Sequence, residues 1–354
     1  MPRPSPTPVP AAAGQPVAAN RPSRDRVPMR LAKAVVRLAK AVAGSRWTRW
    51  AFLAAAVVGG GLALAPHRHA VAAAARDIGA GAVLGGGFAT VAGLLATMQV
   101  WRVVLAGLGS ALPPVAAAKV FFVGQLGKYV PGSVWPILAQ MELARAHRVP
   151  RHRTGTAALL TMVVSLGAGL LTAAATLPAA LAGADRRYLW LLAAVPVVAL
   201  MLHPACLRAA LAVALRVTRR PPPDRPLPGR AVLAATGWAV VSWLLFGVHI
   251  WLLVVPLTRH PGPAVAVSVG GFALAWCLGF LLVVAPAGAG ARDVVLIALL
   301  ATQLDTGEAA AVALLSRAVM TVADLVLAGG AATAARRRRD RPLDDPRPFP
   351  DATG

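Results

Sequence analysis

The dominant pattern along the chain is a series of long apolar runs separated by shorter polar segments rich in arginine. Crossing the roughly 30 Å hydrocarbon core of a bilayer takes about 20 apolar residues in a helix. Seven runs reach that length, and they cover residues 47–66, 78–100, 156–181, 188–207, 231–257, 264–284 and 308–335. The pattern therefore predicts an all-α polytopic integral membrane protein.

Two further segments, 115–143 and 285–304, are apolar but interrupted by Gly and Pro. The distribution of basic residues suggests how each meets the membrane, because clusters of Arg and Lys favour the cytoplasmic side. Those clusters lie at 21–49, 145–153, 208–230 and 336–341. Segment 115–143 would then begin and end inside, as a re-entrant hairpin that turns near Pro131 and Gly132.

Segment 285–304 must instead cross, because otherwise the 336–341 cluster would lie outside. Its glycine-rich start would be extended and 294–304 would form a half-helix. We expect eight crossings with both termini in the cytoplasm. A nine-crossing arrangement, in which 115–143 spans, ranks lower because it would put the 145–153 cluster outside.

Composition agrees with this class, since 57% of the residues are hydrophobic and the mean hydropathy is +0.65. The net charge of +23 could suggest nucleic-acid binding, but the basic residues lie between apolar runs and orient the protein instead. Residues 1–28, rich in Pro and Ala, are expected to be a disordered cytoplasmic tail. Residues 29–46 form either a basic amphipathic helix on anionic inner-leaflet lipid or a solvated charge run. The membrane domain would cover 47–335, and 336–354 would be a basic, Pro-rich tail.

Lys128 is the first candidate site residue, because it lies in the broken sequence Gly127-Lys128-Tyr129-Val130-Pro131-Gly132. Irregular backbone at membrane depth is tolerated where it is buried in protein or lines a wet cavity, and an ionisable residue there marks a substrate path. Lys128 would offer a positive charge to a phosphate, and the N–H groups after Pro131 and Gly132 would add a helix dipole. Alternatively, the Lys128 side chain could snorkel to the membrane interface. A tyrosine such as Tyr129 is also typical of an anchor at that interface.

The second candidate segment contains Gly288, Gly290, Arg292 and Asp293. Arg292 could hold another anionic oxygen, while Asp293 would face a cationic head group or neutralise Arg292. The alternative is that Arg292 and Asp293 pair simply to tolerate burial.

Three other charged residues lie in or near the apolar segments. Arg317 and Asp324 are seven residues apart and share a helix face, as either a structural polar seam or part of a functional site. Glu142 is a weak candidate for proton coupling, like Asp324, but a local pair with Arg145 is favoured.

The sequences Gly-Gln-Leu-Gly-Lys-Tyr-Val-Pro-Gly-Ser-Val-Trp at 124–135 and Pro-Ala-Gly-Ala-Gly-Ala-Arg-Asp at 286–293, with Arg317 in the last span, resemble the lysylphosphatidylglycerol synthase transmembrane family. The resemblance covers roughly 47–335. It implies a flippase-like domain without the aminoacyl-transferase domain. The substrate-binding residues that it suggests are Lys128, Tyr129, Pro131, Gly132, Gly288, Gly290, Arg292, Asp293 and Arg317. The second motif departs from the family pattern, because Ala287 replaces a Gly and Asp293 replaces a Glu.

We therefore expect a bacterial inner-membrane protein that moves an anionic or aminoacylated phospholipid, or a lipid-linked molecule, between leaflets. The alternative is a non-catalytic partner of a separate lipid-modifying or glycosyl-transferring enzyme. The sequence has no catalytic, nucleotide-binding or metal-ligand motif. An enzyme activity, a cofactor and a metal are accordingly not expected.

Overall fold

The computed structural model describes residues 68–129, 135–181, 227–281 and 290–339, and within these ranges it is helical with no strand. All of them belong to one compact unit, Trp50–Gly354. We number its α-helices α1 to α8. They are α1 (Arg68–Gly107), α2 (Pro114–Ala118), α3 (Trp135–Arg145), α4 (Arg151–Leu181), α5 (Gly229–Val254), α6 (Pro261–Leu281), α7 (Ala291–Leu300) and α8 (Thr306–Arg339).

Five of these helices, α1, α4, α5, α6 and α8, are long and apolar enough to cross a membrane. They confirm five of the seven predicted runs. The remaining two, 47–66 and 188–207, lie outside the described residues, as do residues 1–46 and 340–354. The helix α8 continues to Arg339, slightly past the expected domain end at 335. The count of eight crossings stays a prediction.

The most extensive contact between two described helices is that of α1 with α5, which approach closely at small residues. A Cβ on Gly86 would lie 3.3 Å from the backbone oxygen of His249. The Thr97 and Ser242 hydroxyls lie 2.7 Å apart, and Ser242 also donates to the carbonyl of Gly93 at 3.0 Å. Small residues let helix backbones approach, and hydroxyl groups then bond between helices. Gly86 is one of the small residues that allow this close approach.

The segment between α1 and α4 forms two limbs that lie side by side. After α2 the first limb continues as a π-helix (Lys119–Val123) and a 3₁₀-helix (Leu126–Tyr129), and α3 is the second limb. A Cβ on Gly124 would meet the side chain of Gln140, and one on Gly127 would lie 2.8 Å from the backbone nitrogen of Pro136. This contact order makes the limbs antiparallel. Residues 130–134, with Pro131 and Gly132, lie outside the described residues.

A second antiparallel pair is formed by α6 and α7. Gly279 lies against Arg292, and Gly271 lies against Leu299. That segment 285–304 crosses the membrane as a broken helix stays a prediction. The helix α7 at Ala291–Leu300 begins three residues before the half-helix predicted at 294–304. It can do so because Gly290 adopts φ 90° and its N–H donates to the Asp293 carboxylate at 3.2 Å, which caps the first turn. Gly288 lies outside the described residues.

Candidate functional site

One face of α8 carries Arg317, Met320 and Asp324, which are spaced by three and four residues and therefore lie in line. At 1.5 Å rise per residue, Arg317 is about 16 Å from the start of this helix and Asp324 about 22 Å from its end. The line is therefore in the interior of a membrane-length helix. Both glycine-containing motifs bring charged side chains to it.

The first motif meets α8 at Asp324. The Lys128 ammonium lies 2.5 Å from the Asp324 carboxylate, and the Tyr129 hydroxyl donates to the same oxygen at 2.7 Å. The Asp324 side chain is only 4% exposed, whereas that of Lys128 is 28% exposed. Lys128 therefore turns to a buried carboxylate, and Tyr129 donates a hydrogen bond to the same carboxylate.

The second motif meets α8 at Arg317. The Arg317 Nη2 approaches an Asp293 carboxylate oxygen to 2.8 Å, and both side chains are partly exposed. The angles do not make this contact a hydrogen bond, so it is an ion pair only. The suggested pair between Arg292 and Asp293 is not formed. Consecutive helical residues do not face each other, and the Asp293 carboxylate already contacts Arg317 and caps Gly290.

Arg292 lies between these two ion pairs and belongs to neither. It is 8% exposed, its Nη2 lies 3.3 Å from the Met320 sulfur, and its guanidinium is 4.8 Å from the centre of the Phe272 ring. Its Nε has no partner among the described residues. A Cβ on Gly279 would lie 2.7 Å from the Arg292 Cβ, so this glycine lets α7 approach α6 here. The contacts with sulfur and aromatic ring stabilise a cation but do not neutralise it.

His249 also contacts Phe272. Its ring is edge-on to Phe272 with centroids 5.6 Å apart, and it is fully buried. Nδ1 lies 3.0 Å from the carbonyl of Phe246, while Nε2 has no partner among the described residues. Only one of the two ring nitrogens of His249 therefore has a hydrogen-bond partner in the described part of the chain.

Glu142, the other candidate for proton coupling, lies elsewhere. It is exposed and pairs with Arg145, as the favoured interpretation predicted, and also with Arg151 of α4. The hydrogen bond from Arg151 is the main cause that lowers the pKa of Glu142, and the bond from Arg145 adds to it. Glu142 therefore links α3 to α4 at the surface and does not contact the charged face of α8.

Sequence reasoning did not identify Met320, Phe272 or Gly279, which surround Arg292. A signal existed for Met320, because it stands three residues after Arg317 and four before Asp324. No such spacing marks Phe272 or Gly279, whose roles depend on how α6 packs against α7. The described residues contain no group of three side chains suited to hold a metal ion, and Cys277 is a buried packing residue.

Together, the apolar helices and the charged face inside the bundle define a multi-pass membrane protein with a polar interior. The model of one protein family, described as the lysylphosphatidylglycerol synthase TM region, matches residues 48–328. The chain belongs to this family, and the resemblance seen in its motifs is confirmed. Membership links it to lipid metabolism. No curated protein matches the chain.

Proposed function

We propose that this protein moves a lipid with a charged head group between the two leaflets, along a path at the charged face of α8. One observation carries the proposal. Lys128 from the first motif and Arg292 and Asp293 from the second all reach the line formed by Arg317, Met320 and Asp324. Motifs far apart in sequence thus supply charges to one interior surface.

The physical need for such a surface is large. Moving a charged group through hydrocarbon costs from about 3 to over 10 kcal/mol, depending on how the cost is estimated. Fixed charges and polar backbone inside the protein would replace the head group's hydration and lower that cost. Two interrupted segments that meet near one helix resemble the way in which transporters build their substrate sites. Family membership supports a lipid substrate.

We also propose a membrane topology and a cellular location for the protein. The limb pair between α1 and α4 would enter the bilayer and return, and 285–304 would complete eight crossings with both termini in the cytoplasm of a bacterial cell. The side-by-side limbs and the antiparallel course of α7 along α6 support this arrangement. Cysteine labelling from either side of the membrane, at positions 110 and 258, tests it. Labelling of both from the same side would contradict the proposed topology.

We propose that the protein transports lipid, does not catalyse a reaction and needs no cofactor. Transport would be either passive or coupled to ions, and Asp324 is the candidate proton site. The test is transbilayer movement of fluorescent phosphatidylglycerol in liposomes that contain the purified protein. Faster movement than in protein-free liposomes, lost in Arg292→Gln, is the expected result. Arg76→Gln, the same change at an exposed position of α1, is the matched control. No acceleration of phosphatidylglycerol, lysyl-phosphatidylglycerol or a lipid-linked sugar would refute transport and favour the scaffold role beside a lipid-modifying enzyme.

A further inference from the structure

The charges at the face of α8 do not balance. Among the described residues, three cations, Lys128, Arg292 and Arg317, meet two carboxylates, Asp293 and Asp324. Each carboxylate already has a cation within ion-pair distance. One positive charge is left over, and the contacts assign it to Arg292. Any exchange of partners within this set leaves the same excess.

Among the residues that the structure describes, no other side chain near the site supplies a negative charge. The gaps 130–134 and 282–289, which flank the site in sequence, contain no acidic residue. The other described acids are Asp77, Glu142, Asp305 and Glu308; the first three are exposed, and Glu308 accepts a bond from the backbone N–H of Asp305 at the start of α8. His249, which contacts Phe272, adds no negative charge in either protonation state.

A buried guanidinium without an anion is unfavourable, because burial removes its hydration and Met320 and Phe272 replace little of it. An anionic ligand would restore neutrality and satisfy the free Nε. The guanidinium is suited to this role, since it binds phosphate oxygens through a planar fork of donors. Arg292 also lies in the first turn of α7, where the helix dipole favours an anion.

From this charge inventory we infer, resting on the proposed function, that the site selects a lipid whose head group carries a single phosphodiester anion and no ammonium group. Such a head group, of which phosphatidylglycerol is an example, would make the site neutral. A lysyl ester of the same lipid adds two ammonium groups and would raise the positive excess. No carboxylate in the described interior is free to receive those groups, because Asp293 and Asp324 are both paired.

The test measures binding separately from transport. Thermal stability of the full chain in detergent is followed against increasing dioctanoyl phosphatidylglycerol or its lysyl ester. We expect the unmodified lipid to bind at least about tenfold more tightly, the lower end of what a charge-assisted hydrogen bond contributes. Equal binding, or tighter binding of the lysyl ester, would overturn the inference.

A matched pair of variants tests the assignment to Arg292. Met320→Glu places a carboxylate beside the guanidinium, whereas Met320→Gln has nearly the same shape without the charge. We expect Met320→Glu to lose the preference for phosphatidylglycerol and Met320→Gln to keep it. If both keep it, the anion binds elsewhere and the assignment is wrong. If Met320→Glu does not fold, Arg292→Gln takes its place in the test, because it should lose the preference for phosphatidylglycerol as well.

Transport is measured on the same preparations in liposomes. Selective binding of phosphatidylglycerol without transbilayer movement would refute the proposed function and leave the head-group preference standing. Equal movement of both lipids with equal binding would leave transport standing and refute the preference. The two ideas therefore fail in distinguishable ways.

Discussion

Replacing Lys128 by Met removes the ammonium that neutralises Asp324, whose side chain is only 4% exposed. Removing one partner of a buried ion pair typically costs about 3–5 kcal/mol, because the other charge stays buried alone. Here the Tyr129 hydroxyl still donates to the carboxylate, and a hydrogen bond to a charged group contributes about 1.5–3 kcal/mol. We therefore expect Lys128→Met to lower the free energy of unfolding by about 3 kcal/mol.

The reverse change, Asp324→Asn, should cost less. It leaves Lys128 without a carboxylate, but the Lys128 side chain is 28% exposed and keeps part of its hydration. We expect a loss of about 1–2 kcal/mol. The double variant removes both charges, and replacing a buried pair by uncharged residues is often close to neutral. It should lie within about 1 kcal/mol of the parent protein, which gives a coupling energy of at least about 3 kcal/mol.

The assay is unfolding by SDS in mixed micelles, followed by tryptophan fluorescence, for the parent, both single variants and the double variant. Lys119→Met is the matched control, because no ion pair is formed by Lys119 in the described part of the chain. It should change stability by less than about 0.5 kcal/mol. If the effects of the two single variants add within about 0.5 kcal/mol in the double variant, the pair contributes no coupling and the account of Asp324 is wrong.

Three further predictions concern other contacts of the site and its support. Gly127→Ala should lower the free energy of unfolding by about 1–3 kcal/mol, because the new Cβ would lie 2.8 Å from the backbone of the second limb. Gly87→Ala is the control in the same unfolding assay: its Cβ would meet open space, so it should stabilise the protein by up to about 1 kcal/mol. Asp293→Asn should cost at most about 1 kcal/mol, since both it and Arg317 are partly exposed; a larger loss in that assay would mean that the pair is more deeply desolvated. Glu142→Gln should leave lipid movement unchanged at neutral pH. Because the pKa of Glu142 is lowered in the folded protein, its carboxylate stabilises the fold at pH values above the usual pKa of glutamate, and this stabilisation is lost as the pH falls. Glu142→Gln should remove this pH-dependent stabilisation. An acid-unfolding profile identical to that of the parent would contradict this role.

The five described spans could be predicted because their signal is local. Each needs only a continuous apolar stretch of sufficient length, and the sequence displays it directly. The alignment of Arg317 with Asp324 was equally accessible, since helical periodicity places residues seven apart on one face. The pairing of Glu142 with Arg145 followed from the same rule.

The choice of partners between helices could not be predicted in this way. Arg292 and Asp293 are neighbours in sequence, yet the first turns to Met320 and the second to Arg317. Which way each points depends on where α7 begins. That start was misplaced by three residues, because the capping of Gly290 by Asp293 was not recognised. The contact with Phe272 depends in turn on the close approach of α6 and α7 at Gly279.

The unbalanced charge bears on whether the α8 face is structural or functional. A structural polar seam would be expected to neutralise its members, because each buried charge without a partner lowers stability. Four of the five charged residues meet that condition, and Arg292, buried between them, does not. An aliphatic side chain at this position would pack against Met320 and Phe272 without the cost of burying a charge. A guanidinium is therefore hard to explain by packing, and it is explained simply if the anion that completes the site arrives with the lipid.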